Sequence, residues 1–374
     1  MTDSGLAAEL LTLSREIHAD PELAYEERRA AERIAVLLER RGHRVERRFG
    51  GLETAFRTRI GPAGPSVALL AEYDALPEIG HACGHNLIAI SNVGAFLVAA
   101  AQPDGLQVGI ELIGTPAEER GGGKLDLLDA GAFAATLAAL SSHPSSDPRW
   151  EIGTTSLGIV AQRVTYRGVA AHAAVSPEQG RNALNAVIRL FTGVDGWRQH
   201  LPDDARVHGI ITDGGGPAHN VVPVHAQALF GLRSKDVDAL AEMIATFKDI
   251  ARGAALQTGT EVVIEDDMRR YAPTAPHPVM TELLVAELAA RGVEVTTGGL
   301  VAASTDFGNV SQAVPADYIS FPVSESKVPG HSNAFRDAAV TDYAHRQALV
   351  AVDVLASAAL RLATDPSLRA RLGR

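Results

Sequence analysis

Residues 66–101 constrain the fold of this chain more than any other stretch. Ser66-Val67-Ala68-Leu69-Leu70-Ala71 is an apolar run introduced by Gly64 and Pro65. Such a run reads as a strand buried on both faces of a sheet. Asn86 to Ala101 is apolar, alanine-rich and free of proline, which predicts a helix. Between them lies a polar loop holding Glu72, Asp74, His81, His85 and the chain's single cysteine, Cys83. Strand, polar loop, helix is the arrangement that places a ligand site at the carboxyl edge of an open α/β sheet.

The chain around this stretch has 374 residues, more than one core usually holds, so two domains are expected. A hydrophobic share of 46% with 21% charged residues suits a folded globular protein. The formal net charge of -11 argues against nucleic acid as a partner, because phosphate binding needs a basic surface. With Cys83 alone there is no intrachain disulfide and no sign of an oxidising compartment. The N-terminal residues have neither a basic region nor an apolar run of the kind that begins a signal peptide. The longest apolar stretch, Leu87 to Ala101, is broken by Ser91, Asn92 and Gly94 and is too short to span a bilayer. These readings predict a cytoplasmic protein with no membrane or nucleic-acid partner.

Residues 5–17 and 25–41 show helical spacing, and Val45 to Arg57 reads as a hairpin that ends in a Gly/Pro turn at 61–65. Val108 to Ile113 is a second buried strand, followed by Gly114-Thr115-Pro116-Ala117-Glu118-Glu119, a Gly121-Gly122-Gly123 loop and a helix from about Lys124. Ala135 to Leu140 reads as a further strand. Alternating β and α units predict a mainly parallel sheet with helices on both faces. Near residue 160 the pattern changes. Strands at 158–169, 207–212, 221–233 and 261–265, with helices at 178–200 and 237–256, form a ββαββαβ-like run. This predicts an α+β two-layer domain at 160–271 inserted into an α/β domain made of 1–159 and 272–374. From His277 the α/β pattern resumes: a helix to Arg291, a loop at 303–309, a strand near 318–321 and a long helix at 341–363.

Cys83-Gly84-His85 offers a thiolate and an imidazole two residues apart, both ligands for zinc or a related metal. Gly84 allows the loop to bend so that both reach one centre. Alone the motif is weak, since an inert buried cysteine beside a bonded histidine is commoner. Glu118-Glu119 strengthens it: neighbouring side chains point apart, so one carboxylate can hold metal while the other acts as a base on water. A solvated acidic pair is the plainer alternative. His143 follows the strand at 135–140, and His331 lies in the polar loop Pro329-Gly330-His331-Ser332; either alone is more often a surface or core histidine. Asp74 on its own reads as a loop-capping residue. Gly121-Gly122-Gly123-Lys124 lacks the hydroxyl residue and spacing of a phosphate loop. A cysteine nucleophile at Cys83 suits this acidic setting less well than chelation.

Glu-Tyr-Asp-Ala-Leu-Pro (72–77), His-Ala-Cys-Gly-His (81–85), Gly-Thr-Pro-Ala-Glu-Glu (114–119), Ala-Ala-His-Ala-Ala (170–174), Asn-Val-Val-Pro (220–223) and Ser-Thr-Asp-Phe-Gly-Asn-Val-Ser (304–311) occur in this order. Together they resemble the co-catalytic metallopeptidase family of aminoacylases, carboxypeptidases and amidohydrolases. The closest resemblance is to its branch of auxin-conjugate hydrolases, aminobenzoyl-glutamate hydrolase and Xaa-Arg or β-alanyl-lysine dipeptidase-like enzymes. The resemblance spans nearly the whole chain. It implies two divalent metal ions, zinc or manganese, with Cys83 as a bridge and His85, Glu119, His143 and His331 as further ligands. It implies Glu118 as the general base, Asp74 as an orienting residue, and the insertion as a lid and dimerisation domain. His172 matches a histidine that the family's dimer places in the partner's active site; Asn220 and Arg233 match residues that grip a substrate carboxylate. A guanidinium suits that task because it binds carboxylate bidentately. Many relatives have Asp and His where this chain has Asn86 and Ile88; Asn86 supplies no carboxylate to a metal centre.

The expected function is metal-dependent hydrolysis of the amide bond in N-acyl amino acids or dipeptide-like substrates with a free carboxylate. The expected assembly is a homodimer, or a higher oligomer of dimers, through the inserted domain. A dipeptidase for Xaa-Lys or Xaa-Arg substrates is the alternative within the class, favoured by Asn86 and the acidic charge. A catalytically silent metal- or carboxylate-binding module is the alternative outside it.

Overall fold

The computed structural model describes residues 2–373. In chain order, the first segment contains α1 (Ser4–Ala19), α2 (Arg28–Arg40), β1 (Glu46–Arg47), β2 (Phe56–Ile60), β3 (Ser66–Ala71), α3 (His85–Ala100), β4 (Gly109–Gly114), α4 (Gly123–Asp129), β5 (Thr136–Ser145), β6 (Trp150–Ile152) and β7 (Thr155–Ser156). The middle segment contains β8 (Gly158–Arg167), α5 (Ala183–Arg198), β9 (Arg206–Asp213), β10 (His225–Ser234), α6 (Val237–Thr258) and β11 (Glu261–Asp266). The last contains α7 (Pro278–Ala289), β12 (Val295–Thr297), β13 (Leu300–Val301), α8 (Phe307–Ala313), β14 (Ala316–Pro322), α9 (Asn333–Ala338), α10 (Asp342–Thr364) and α11 (Pro366–Ala370). The chain divides into two compact units: residues 2–155, 274–301 and 305–373 form one, residues 156–273 with 302–304 the other.

The larger unit is built on an eight-stranded sheet of order β1-β2-β4-β3-β5-β14-β6-β12. Its centre, β4-β3-β5-β14, is parallel, while β2 runs antiparallel to β4 and β6 to β14. Strand periodicity sorts the side chains of β3 onto two faces. Val67, Leu69 and Ala71 join a core with Leu87, Val93, Phe96, Val352 and Leu355 from α3 and α10. Ala68 and Leu70 join a second core with Leu127, Phe133, Phe307 and Val310. Helices therefore cover both faces, which is why the central strands read as unbroken apolar runs. α3 is buried on every side from His85 to Ala99, which explains its apolar composition all round. α10 is long and apolar enough to cross a membrane by composition alone, but its apolar residues pack into the first core.

The smaller unit is a four-stranded antiparallel sheet, β11-β8-β10-β9, covered by α5 and α6. Phe230 of β10 packs against Phe191 of α5 and Phe247 of α6 at ring distances of 4.6 and 5.1 Å. The run is βαββαβ: the four strands and two helices read from the sequence are all present, and the ββαββαβ label counted one strand too many. The helix expected from Glu178 begins only at Ala183, capped by the Asn182 side chain on the N–H of Asn185. β5 also outlasts its expected end: it continues to Ser145, so His143 stands on the strand and not after it.

Candidate metal centre

The site gathers where β3, β4 and β5 end. Leu69 pairs with Leu140, so Glu72 and His143 lie at one level along the sheet. After β3 the chain passes through Asp74 to Gly84, whose φ of +76° is left-handed. A Cβ there would sit 2.7 Å from Pro144 Cγ, so glycine is required both for the turn and for the approach to β5. His85 then opens α3. Its Nδ1 is 2.8 Å from Asp74 Oδ1, and the other oxygen of Asp74 accepts the Glu119 N–H at 2.9 Å. Asp74 thus ties the β3 loop to the β4 loop and turns the imidazole so that Nε2 faces the site.

Both glutamates reach that nitrogen. Glu118 Oε2 is 3.8 Å and Glu119 Oε1 3.7 Å from His85 Nε2. In an extended chain neighbouring side chains diverge. Here Ala117 is left-handed, φ +61°, and its N–H is held by the buried Glu27 carboxylate at 2.8 Å. Glu118 to Arg120 then form a turn and do not continue the strand, so the divergence expected from sequence gives way to convergence. Cys83 Sγ lies 3.5 Å from His143 Nε2, and His143 Nδ1 meets the Pro144 carbonyl at 2.7 Å, leaving Nε2 for the site. His331, left-handed at φ +51° with its N–H on the Ala82 carbonyl, brings Nε2 to 3.9 Å from Glu119 Oε2.

These atoms form sets with the chemistry of a metal site: Cys83, His85 and His143; Cys83, Glu119 and His331; Glu72, His85 and Glu118. Within each set the ligand atoms lie within 4.8 Å of one another. The buried atoms Glu72 Oε2, His85 Nε2 and Glu119 Oε1 have no hydrogen-bond partner. Buried anionic oxygens without partners are costly unless a cation joins them, so the residues present fit a divalent metal centre.

The electrostatics reflect a crowd of buried acids at this point. Burial, reinforced by the charges on Glu72 and Glu119, pushes Glu118 well above the carboxylate range. Burial also raises Glu119. Burial lowers His143 to about 4. Burial opposes a charge on His85, but Asp74 overrides it and holds the imidazole well above its ordinary value. Burial and the Glu119 charge push the Cys83 thiol up, the opposite of an activated cysteine nucleophile.

Three residues without an expected role stand beside this set. Lys124 is fully buried, its Nζ 2.7 Å from Glu72 Oε1 and 2.5 Å from Asp306 Oδ1. Asp306 Oδ2 accepts the Lys124 backbone N–H at 3.0 Å. The Gly121-Gly122-Gly123 loop that failed as a phosphate cradle serves this pair: a Cβ at Gly123 would sit 2.0 Å from the Pro116 carbonyl oxygen. The available signal was a charged residue in each of three otherwise buried segments.

Asn86 points elsewhere. Its amide donates to Ser14 Oγ at 2.9 Å and to the Ala339 carbonyl at 3.0 Å, so its identity has no direct bearing on charge at the centre.

In the smaller unit, exposed His172 accepts the N–H groups of Ala174 and Val175 at Nδ1, each at 3.2 Å. Exposed Asn220 lies on the adjoining segment, its carbonyl accepting the Ala173 N–H at 2.9 Å. Arg233, near the far end of β10, donates to Ser304 Oγ at 2.9 Å.

The profile of the family described as peptidase family M20/M25/M40 matches residues 68–353. The Xaa-Arg dipeptidase of Mus musculus is 37% identical over 97% of this chain and 88% of its own length. One of the subunits of the p-aminobenzoyl-glutamate hydrolase of Escherichia coli K12 is 30% identical over 95% of this chain and 89% of its own. Among solved structures, a Bacillus subtilis protein described as a dinuclear metal binding peptidase from the M20 family superposes with a TM-score of 0.72 at 19% identity. That match covers 94% of this chain and 98% of the other.

Proposed function

Because the chain belongs to peptidase family M20/M25/M40, and is thereby a metal-dependent amide hydrolase, we propose that it cleaves the bond between an acyl or aminoacyl group and an amino acid with a free carboxylate. The observation that carries this reading is the convergence of Glu118 and the unpartnered donor atoms on one buried point. Cys83, His85, Glu119, His143 and His331 would hold two divalent ions. The soft thiolate and imidazoles suit zinc, the carboxylates manganese as well. When bound, the ions supply Lewis acidity and ready ionisation of water at neutral pH.

Glu118 is the proton carrier. Its carboxylate takes a proton from the attacking water and returns it to the leaving nitrogen. Its raised proton affinity suits the second transfer. Asp74 keeps the proton on His85 Nδ1 and keeps Nε2 facing inward. His172, Asn220 and Arg233 are proposed to contact substrate: Arg233 and Asn220 the free carboxylate, His172 the oxyanion of the carbonyl under attack.

The likeness to the Xaa-Arg dipeptidase favours dipeptides with a basic second residue within this class. We place the enzyme in the cytoplasm as a homodimer joined through the smaller unit. The supporting feature is the apolar exposure of Ile210 and Ile211 on edge strand β9 and of Ile188 on α5.

The test is hydrolysis of a panel of N-acetyl amino acids, aminobenzoyl-glutamate and Xaa-Lys or Xaa-Arg dipeptides, with zinc, manganese or a chelator. Metal-dependent release of free amino acid is expected, fastest from the Xaa-Arg dipeptides. Absence of turnover with either metal would overturn the reading.

A further inference from the structure

We infer that Glu72 is an additional ligand of the metal centre, aimed at it by the buried Lys124–Asp306 pair. This rests on the reading of the site as a metal centre.

The two oxygens of Glu72 have different surroundings. Oε1 is 2.7 Å from Lys124 Nζ. Oε2 is buried, has no hydrogen-bond partner and lies 3.7 Å from His85 Nε2, which has none either. Those two atoms and an oxygen of Glu118 lie within 4.8 Å of one another. A carboxylate present only to neutralise Lys124 would not need to stand here, because Asp306 already answers that lysine with one oxygen on Nζ and the other on its backbone N–H. Lys124 instead fixes the rotation of the Glu72 carboxylate: one oxygen on the ammonium leaves the other turned toward His85. Leaving that second oxygen dry and unpaired is expensive; a cation shared with His85 removes the expense.

Charge leads to the same assignment. Glu72, Asp74, Glu118 and Asp306 are all buried, and Lys124 is the one buried lysine or arginine among the described residues. Asn86, next to His85 in the chain, carries no charge and is turned away onto Ser14 and Ala339. Glu72 is therefore the carboxylate outside the five expected ligands whose free oxygen meets the donor atoms.

The experiment compares wild type with Glu72→Gln, which keeps an acceptor for Lys124 and removes the anionic donor. Each protein is stripped with chelator and titrated with Zn2+ or Mn2+ against a chromophoric competitor. The visible spectrum of the Co2+-loaded forms is recorded in parallel. Wild type is expected to bind two ions. Glu72→Gln should weaken one of them about 10- to 100-fold, the range seen when groups around a metal are lost, and change the Co2+ spectrum. Unchanged affinities with an unchanged spectrum would overturn the assignment while leaving the metal centre intact. Failure of wild type to bind metal stoichiometrically would instead remove the underlying reading, and the assignment with it. If Glu72→Gln does not fold, Glu72→Asp keeps the charge and shortens the reach: the same loss at one ion supports the ligand role, and wild-type affinity at both overturns it.

Discussion

His85 and Asn86 are consecutive residues on the first turn of α3, both fully buried, and they face two different polar networks. His85 looks into carboxylates: Glu72, Glu118 and Glu119 lie within 3.7 to 3.8 Å of its Nε2, with Asp74 behind it. Asn86 looks toward neutral groups: Ser14 Oγ, the Ala339 carbonyl and, through Ser14, His345 at 3.0 Å. Both networks leave atoms unpaired, Asn86 Oδ1 and His345 Nδ1 on one side and Glu72 Oε2 and Glu119 Oε1 on the other. The meaning differs with the charge. A neutral orphan costs roughly 1–3 kcal/mol, which a core this size absorbs. An anionic orphan costs more, and several together are tolerable only where a cation completes them. Burial and imperfect pairing do not distinguish structure from function here; uncompensated charge does.

The two networks differ most in their bearing on turnover. Glu118→Ala should lower kcat about 1,000-fold, within the usual range for a general acid–base group, while keeping both metal ions. If the active site is completed across a dimer, mixing this variant with inactive His172→Ala should restore measurable activity through mixed dimers. Retained turnover in Glu118→Ala would remove the base assignment, and no recovery in the mixture would remove the shared site. The next effect is on stability. Asn86→Asp places a charge in the neutral network and should cost about 3 kcal/mol, or force the new acid to stay protonated. It should add nothing to metal affinity, because the side chain faces α1 and the end of α9. Chemical denaturation and metal titration of the same sample check both halves. Tighter metal binding at unchanged stability would mean that residue 86 does reach the centre.

Asn86 also marks the limit of what could be read in advance. The apolar run of β3, the glycine of Cys83-Gly84-His85 and the paired glutamates carry local signals, and the elements around them follow from period and turn chemistry. Where a buried side chain points is a tertiary matter. Alternation would separate Glu118 from Glu119, yet the turn at 118–120, entered through a left-handed alanine held by Glu27 90 positions away, leaves both within reach of His85. Lys124 follows three glycines, a local context that suggests an anion loop, but its partners come from the end of β3 and the start of α8, 52 and 182 residues distant. Nothing within a short window reports such pairings. Likewise, a dipeptide such as Gly84-His85 announces a turn into a helix without saying which face of that helix carries the chemistry.

The smallest effect concerns the neutral network alone, and pH isolates it. Burial, helped by the nearby Arg15 charge and opposed by Asp342, lowers His345 to about 4 in the folded chain, against about 6.5 when unfolded. The unfolded state therefore binds the proton first as pH falls. Stability from this residue is complete above about pH 6.5, declines as the pH drops toward 4, and declines no further below it. His143, lowered for the same reason, adds a limb of the same sign, so the wild-type profile alone does not assign it. The difference between wild type and His345→Gln does. Glutamine can keep a contact with Ser14 Oγ and cannot titrate, so the two denaturation midpoints should differ by a constant above pH 6.5 and converge, or cross, between 6.5 and 4. A pH-independent difference would mean that His345 takes its proton in place. The neutral network would then share the electrostatic character of its neighbour on the other face of α3.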